Sequence, residues 1–144
     1  RFTKISSQIF VLLSGFAFLS VSLMAFWSPQ AVMDLVAVKL TNNDALSSIR
    51  GAYGGVGLAL FISLLFLLKN HLSEALLFLW ILWSLYAISR FTTIYVDGSL
   101  GDFGTQWLVI ESIFSAIALT LWVINQKIFV SLPSTSQTKK SMLQ

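Results

Sequence analysis

Residues 45–68 read ALSSIRGAYGGVGLALFISLLFLL. Arg50 is the one charged residue in this stretch, which exceeds the roughly 20 apolar residues a helix needs to cross a hydrocarbon core. The reading is a transmembrane helix. Ser47, Gly51, Gly55, Ala59 and Ser63 recur along it every four residues. Such a stripe lets two helices approach closely, because side-chain bulk is missing. Gly51 and Gly55 form a G-x-x-x-G pair, and Gly54 and Gly57 widen the thin face. The stripe is expected to pack within a helix bundle, with dimerisation through the same face as the alternative. The glycines are no phosphate loop, which would lie between a strand and a helix.

Three more apolar runs flank this one. The first, residues 5–27, follows Arg1 and Lys4. A basic start and an apolar run also suit a signal peptide, but the run is long for one and lacks a clear small-x-small site near its end. The third span is predicted over 73–95 and the fourth over 106–124. Between the first two, Ser28 and Pro29 predict an N-cap and a first helical residue. Ala31, Val32, Leu35, Val36 and Leu40 then share a face over 30–40, a segment too short to span, so a short interfacial helix is expected. Asn42 and Asn43 form a turn, with Asp44 expected to cap the second span. Lys69, Asn70 and His71 turn the chain, as does the loop from Asp97 to Asp102. The fold expected over 1–127 is therefore all-α, an integral membrane antiparallel four-helix bundle, followed by a polar cytoplasmic tail over 128–144 that contains Pro133, Lys139 and Lys140.

Composition agrees. Of 144 residues 56% are hydrophobic and 10% charged, against about 25% charged in an average soluble domain. The mean hydropathy is +0.82, and the surface of a soluble fold this small could not absorb so much apolar side chain. The net charge of +3 comes from single basic residues at the ends of apolar runs, which argues for membrane orientation rather than nucleic-acid binding. With no cysteine and one histidine, disulfides and thiolate chemistry are excluded and a His-based metal site is not expected. No cofactor is implied.

Four spans place Arg1, Lys4, Lys69, Lys127, Lys139 and Lys140 on one side and Asp34, Asp44, Asp97 and Asp102 on the other. The positive-inside bias makes the first side cytoplasmic, with both termini there. Trp27, Tyr95 and Trp107 suit the outer boundary, and Trp122 the inner one.

Threading of the spans brings Arg50, Arg90 and Glu111 to similar depths near the outer face. A charge in lipid costs on the order of 3 kcal/mol, and Arg can hold a carboxylate through two parallel hydrogen bonds. A buried cluster of Arg50, Arg90 and Glu111 is therefore expected. Asp97 would close it from the loop, and Tyr53 would offer a hydroxyl. The cluster either locks the helices in register, or binds an anionic headgroup or relays protons. Trp80, Trp83 and Tyr86, about one turn apart, either pack ordinarily or line an apolar pocket. His71, beside Lys69 and Glu74, reads as a solvated turn residue.

The run from Arg50 to Gly55, Arg-Gly-Ala-Tyr-Gly-Gly, carries a resemblance. The chain resembles an uncharacterised bacterial family of four-span membrane proteins, a domain of unknown function with an Arg-Gly-x-Tyr-Gly-Gly start to the second span. The likeness continues through Arg90, Asp97-Gly98 and Glu111. The chain departs from the pattern at Ser89, where that family often has Gly. The resemblance implies the charged residues and no activity. A looser likeness, in span number and glycine near the second span, is to a four-span family related to thiosulfate-oxidising quinone reductase subunits. No nucleophile–base pair, metal set or cofactor fingerprint is present. The first functional reading is a non-catalytic accessory, assembly or structural subunit of the bacterial inner membrane. The alternative is a binder or carrier of a lipid, quinone or small anion. An enzyme using Glu111 or Asp97 as acid or base comes third. The expected partners are membrane lipids and a second copy or larger membrane complex, with a lipid or quinone ligand under the alternative.

Overall fold

A computed structural model describes residues 1–131. These form helices α1 (Phe2–Trp27), α2 (Pro29–Asp34), α3 (Asn43–Ile49), a π-helical turn (Arg50–Gly55), α4 (Val56–Asn70), α5 (Leu72–Val96) and α6 (Asp102–Ser131), with no strand among the described residues. Four helical stretches are long and apolar enough to cross a membrane: Phe2–Trp27, Asn43–Asn70, Leu72–Val96 and Asp102–Ile128. Pro133, Lys139 and Lys140 of the expected tail lie outside the described residues. Its first residues, 128–131, belong to α6, so that helix outlasts the apolar run by about two turns. Side chains hold the extension: Asn125 Nδ2 donates to Ser7 Oγ at 2.9 Å, and Gln126 Nε2 to Ser73 Oγ at 2.7 Å.

The link between the first two spans is less helical than the sequence suggested. Ser28 caps α2 weakly, accepting from the Ala31 amide at 3.4 Å, and Pro29 is the first residue. The helix stops at Asp34, and Ala37 then adopts φ 56°. That left-handed conformation costs an L-residue roughly 1–2 kcal/mol. Gln30 ties down the chain that follows: its amide donates to Asp34 Oδ1 and the Val38 carbonyl and accepts from the Leu40 amide. One side chain thus satisfies backbone that a longer helix would have satisfied itself. The cap of α3 is Asn42, whose Oδ1 accepts from the Ala45 amide at 2.8 Å. Asp44, expected in that role, sits in the first helical turn instead, where a carboxylate complements the helix dipole.

α1 packs along the π turn and α4, and α5 along α6. On the second interface Ser73 meets Gln126, Ser84 meets Ser115, and Arg90 meets Glu111. Partner numbers on α6 fall as they rise on α5. The shared core holds Phe10, Val11 and Phe18 of α1, Leu64 of α4, Leu76, Leu79 and Trp83 of α5, and Ala118 of α6. Three fully buried serines of α1 reach three different neighbours. Ser7 accepts from Asn125 of α6, Ser14 accepts from the Trp83 indole of α5 at 3.2 Å, and Ser22 donates to the Gly54 carbonyl at 2.6 Å. Their spacing of seven or eight residues keeps them on one helix face, the periodicity from which the sequence reading could have found them.

The second span packs through a different face from the one expected. Ser47, Gly51, Gly55, Ala59 and Ser63 are all exposed, and a Cβ built on Gly51 or Gly55 would meet nothing within 4 Å. Gly54 and Gly57 make the close approach to α1. A Cβ on Gly54 would lie 3.1 Å from the Phe26 ring, and one on Gly57 would lie 3.0 Å from Ser22 Cβ and 3.1 Å from the Phe18 carbonyl oxygen. Within the chain the packing glycines are therefore Gly54 and Gly57, which the sequence placed at the edge of the thin face, and not the G-x-x-x-G pair. The stripe stays on one exposed face from Ser47 through the π turn to Ser63, while Gly54, Gly57 and Leu64 are the buried residues of this span; a four-residue pattern marks a thin face but does not say which side of the helix meets α1.

Candidate functional site

Arg90 and Glu111 form a two-pronged ion pair near the end of α5 and the start of α6. Nε donates to Oε2 at 2.7 Å and Nη2 to Oε1 at 2.9 Å. Glu111 is 2% exposed, while 24% of the Arg90 side chain remains accessible. Both carboxylate oxygens are engaged, so the pair is electrically compensated and presents donors rather than a free base. A guanidinium has five N–H donors; two are spent on Glu111, which leaves three.

The accessible side of Arg90 faces a cavity of about 280 Å³ bounded by α1, α2, the π turn, α4, α5 and α6. Its apolar wall includes Phe18, Met33 and Leu60, and its aromatic wall Tyr53, Trp83, Tyr86, Phe103 and Trp107. Trp83 is fixed from three sides. It stacks on Phe18 with centroids 5.2 Å apart, meets Phe114 edge-on at 5.1 Å, and anchors its indole N–H on Ser14. Among the described residues neither tyrosine hydroxyl nor the Trp107 indole N–H has a hydrogen-bond partner. The Tyr86 hydroxyl lies within electrostatic reach of Tyr53, Glu111 and Arg90. Tyr53, Val56 and Tyr86 line the cavity and are also exposed at the protein surface.

The structure divides the residues singled out in the sequence. Arg90, Glu111, Tyr53, Trp83 and Tyr86 come together. Arg50 does not join Glu111: it is exposed, and its Nε donates to the Phe26 carbonyl at 3.1 Å. That oxygen is in the last turn of α1, where carbonyls lack intrahelical partners and the helix dipole favours a cation. Asp97 ends α5 as an exposed C-cap with no ion pair among the described residues. Gly98, at φ 109°, makes the turn beyond it. Trp80 turns away and stacks on Trp122 at 6.3 Å. His71 Nδ1 sits 3.5 Å from Glu74, both exposed. No three His, Asp or Glu residues among those described gather as a metal site.

Four helices long and apolar enough to cross a membrane, around a compensated ion pair and a cavity that opens at the protein surface, make this a multi-pass membrane protein. Residues 6–123, which include all of these site residues, match the family described as Domain of unknown function (DUF4345), and the chain belongs to that family. No curated protein and no solved structure matches it.

Proposed function

We propose that this is a non-catalytic protein of the bacterial inner membrane that binds an amphiphilic small molecule in the cavity beside Arg90. In this reading α1, α3–α4, α5 and α6 are an antiparallel four-helix bundle with α2 at the outer interface. Arg1, Lys4, Lys69 and Lys127 mark the cytoplasmic ends, and Asp34, Asp44, Asp97 and Asp102 the outer ones. The observation that carries it is the combination of an aromatic cavity, unspent donors at one end, and lining residues exposed toward lipid. A molecule dissolved in the bilayer could reach the cavity sideways past Tyr53 and Val56. Native mass spectrometry in a mild detergent should find a retained small molecule. Val56→Trp, at an exposed lining position, should lose it while staying folded. A folded wild-type protein that retains nothing would count decisively against the proposal.

The exposed stripe from Ser47 to Ser63 supports a second reading, an accessory or assembly subunit that meets a second copy or a partner through α4. Molecular mass in detergent distinguishes it: Gly55→Leu should dissociate an oligomer, and a protein that is always monomeric and partnerless would exclude it.

A further inference from the structure

We infer that the cavity beside Arg90 is a site for a neutral, planar, acceptor-bearing ring, that is, a lipid-soluble quinone in its oxidised form; this rests on the cavity-binding reading above. Charge decides against an anion. The guanidinium that would attract one is already matched by Glu111 at 2.7 and 2.9 Å, so an arriving phosphate or carboxylate would meet no net positive charge and would face a buried carboxylate. Hydrogen-bond polarity decides the head group. The groups left over are the spare Arg90 N–H donors, the Tyr53 and Tyr86 hydroxyls and the Trp107 indole N–H, while both acceptor oxygens of Glu111 are occupied. A quinone carbonyl only accepts, and so complements this set. Its reduced form brings two O–H donors that would need acceptors, and here these are the tyrosine oxygens and the remaining lone pairs of a buried carboxylate that Arg90 already holds.

Shape points the same way. Six aromatic side chains line the space, and rings prefer offset or edge-to-face contact with other rings. Trp83, held by Phe18, Phe114 and Ser14, is a fixed part of that lining, so little ordering is lost when a ring settles in the cavity. A flexible acyl chain would gain less from so many fixed planes. An apolar tail could leave into the bilayer past Tyr53, Val56 and Tyr86, the lining residues exposed at the surface, which sets no limit on its length.

The test uses the full chain in nanodiscs of phosphatidylcholine. A benzoquinone carrying a decyl chain is titrated in, and quenching of the tryptophan emission is followed. Quenching should saturate, in contrast to the linear quenching of a quinone merely dissolved in lipid. Apparent affinity should fall about five- to tenfold in Tyr53→Phe and in Tyr86→Phe, the size of one lost hydrogen bond. It should fall further in Val56→Trp. The quinol should bind more weakly than the quinone, and dodecyl phosphate should not displace it. Displacement by dodecyl phosphate, or equal binding of quinol and quinone, would overturn the quinone assignment and leave the cavity reading standing. The same holds if the purified protein retains some other molecule and the quinone quenches only linearly. If nothing is retained and nothing saturates, both fall together.

Discussion

Replacing Gly57 with alanine places a methyl group 3.0 Å from Ser22 Cβ and 3.1 Å from the Phe18 carbonyl oxygen. Carbon atoms in contact rest about 3.5–4.0 Å apart, so α1 and α4 must separate by roughly half an ångström. Neither obstacle is the free end of a flexible side chain, so rotamer adjustment cannot relieve the overlap. The separation also strains the 2.6 Å hydrogen bond from Ser22 to the Gly54 carbonyl and the Phe18–Trp83 stack on the same face. Overpacking of this kind costs about 1–3 kcal/mol, and alanine's higher helix propensity returns up to ~1 kcal/mol. A net loss of about 1–2 kcal/mol is expected. Gly51→Ala is the matched control. Its methyl meets nothing within 4 Å, which leaves only the propensity gain of up to ~1 kcal/mol. Unfolding of both variants in one mild detergent, against a rising fraction of dodecyl sulfate and followed by circular dichroism, separates the two. Equal stability, or a Gly51 variant weaker than the Gly57 variant, would refute the assignment of the packing face.

Three further outcomes follow from particular contacts. Glu111→Ala strands the Arg90 guanidinium and should destabilise by about 3 kcal/mol, the low end for a broken buried pair because Arg90 keeps access to the cavity; the same unfolding assay reads it, and Arg90→Lys should recover only part of the wild-type stability because the two-pronged geometry is lost. Arg50→Ala should cost less than about 1 kcal/mol, since it removes an exposed interaction with a helix end; a loss matching that of Glu111→Ala would mean Arg50 belongs to the buried pair after all. Ala37→Gly should raise the melting temperature slightly, gaining up to about 1 kcal/mol at a left-handed position, and a fall would show that Ala37 is not strained.

The membrane class and the existence of four spans were legible in the sequence, because both depend on local quantities. Apolar run length decides whether a helix can cross a bilayer, and the penalty on charge in lipid marks which residues need partners wherever they end up. Arg90 and Glu111 could be singled out on that ground alone. Which partner each charge takes, and which glycines touch α1, depends instead on the rotation of each helix about its own axis. One residue changes that rotation by about 100°. A π turn over Arg50–Gly55 lies within the stretch where a regular four-residue stripe had been read. The stripe nevertheless stays on one exposed face, Gly54 and Gly57 meet α1, and Arg50 rests on the Phe26 carbonyl rather than on Glu111, placements fixed by how the helices pack. The cavity has the same origin: its walls come from six elements, and no local pattern encodes the gap left when α1 packs along α4 and α5 along α6.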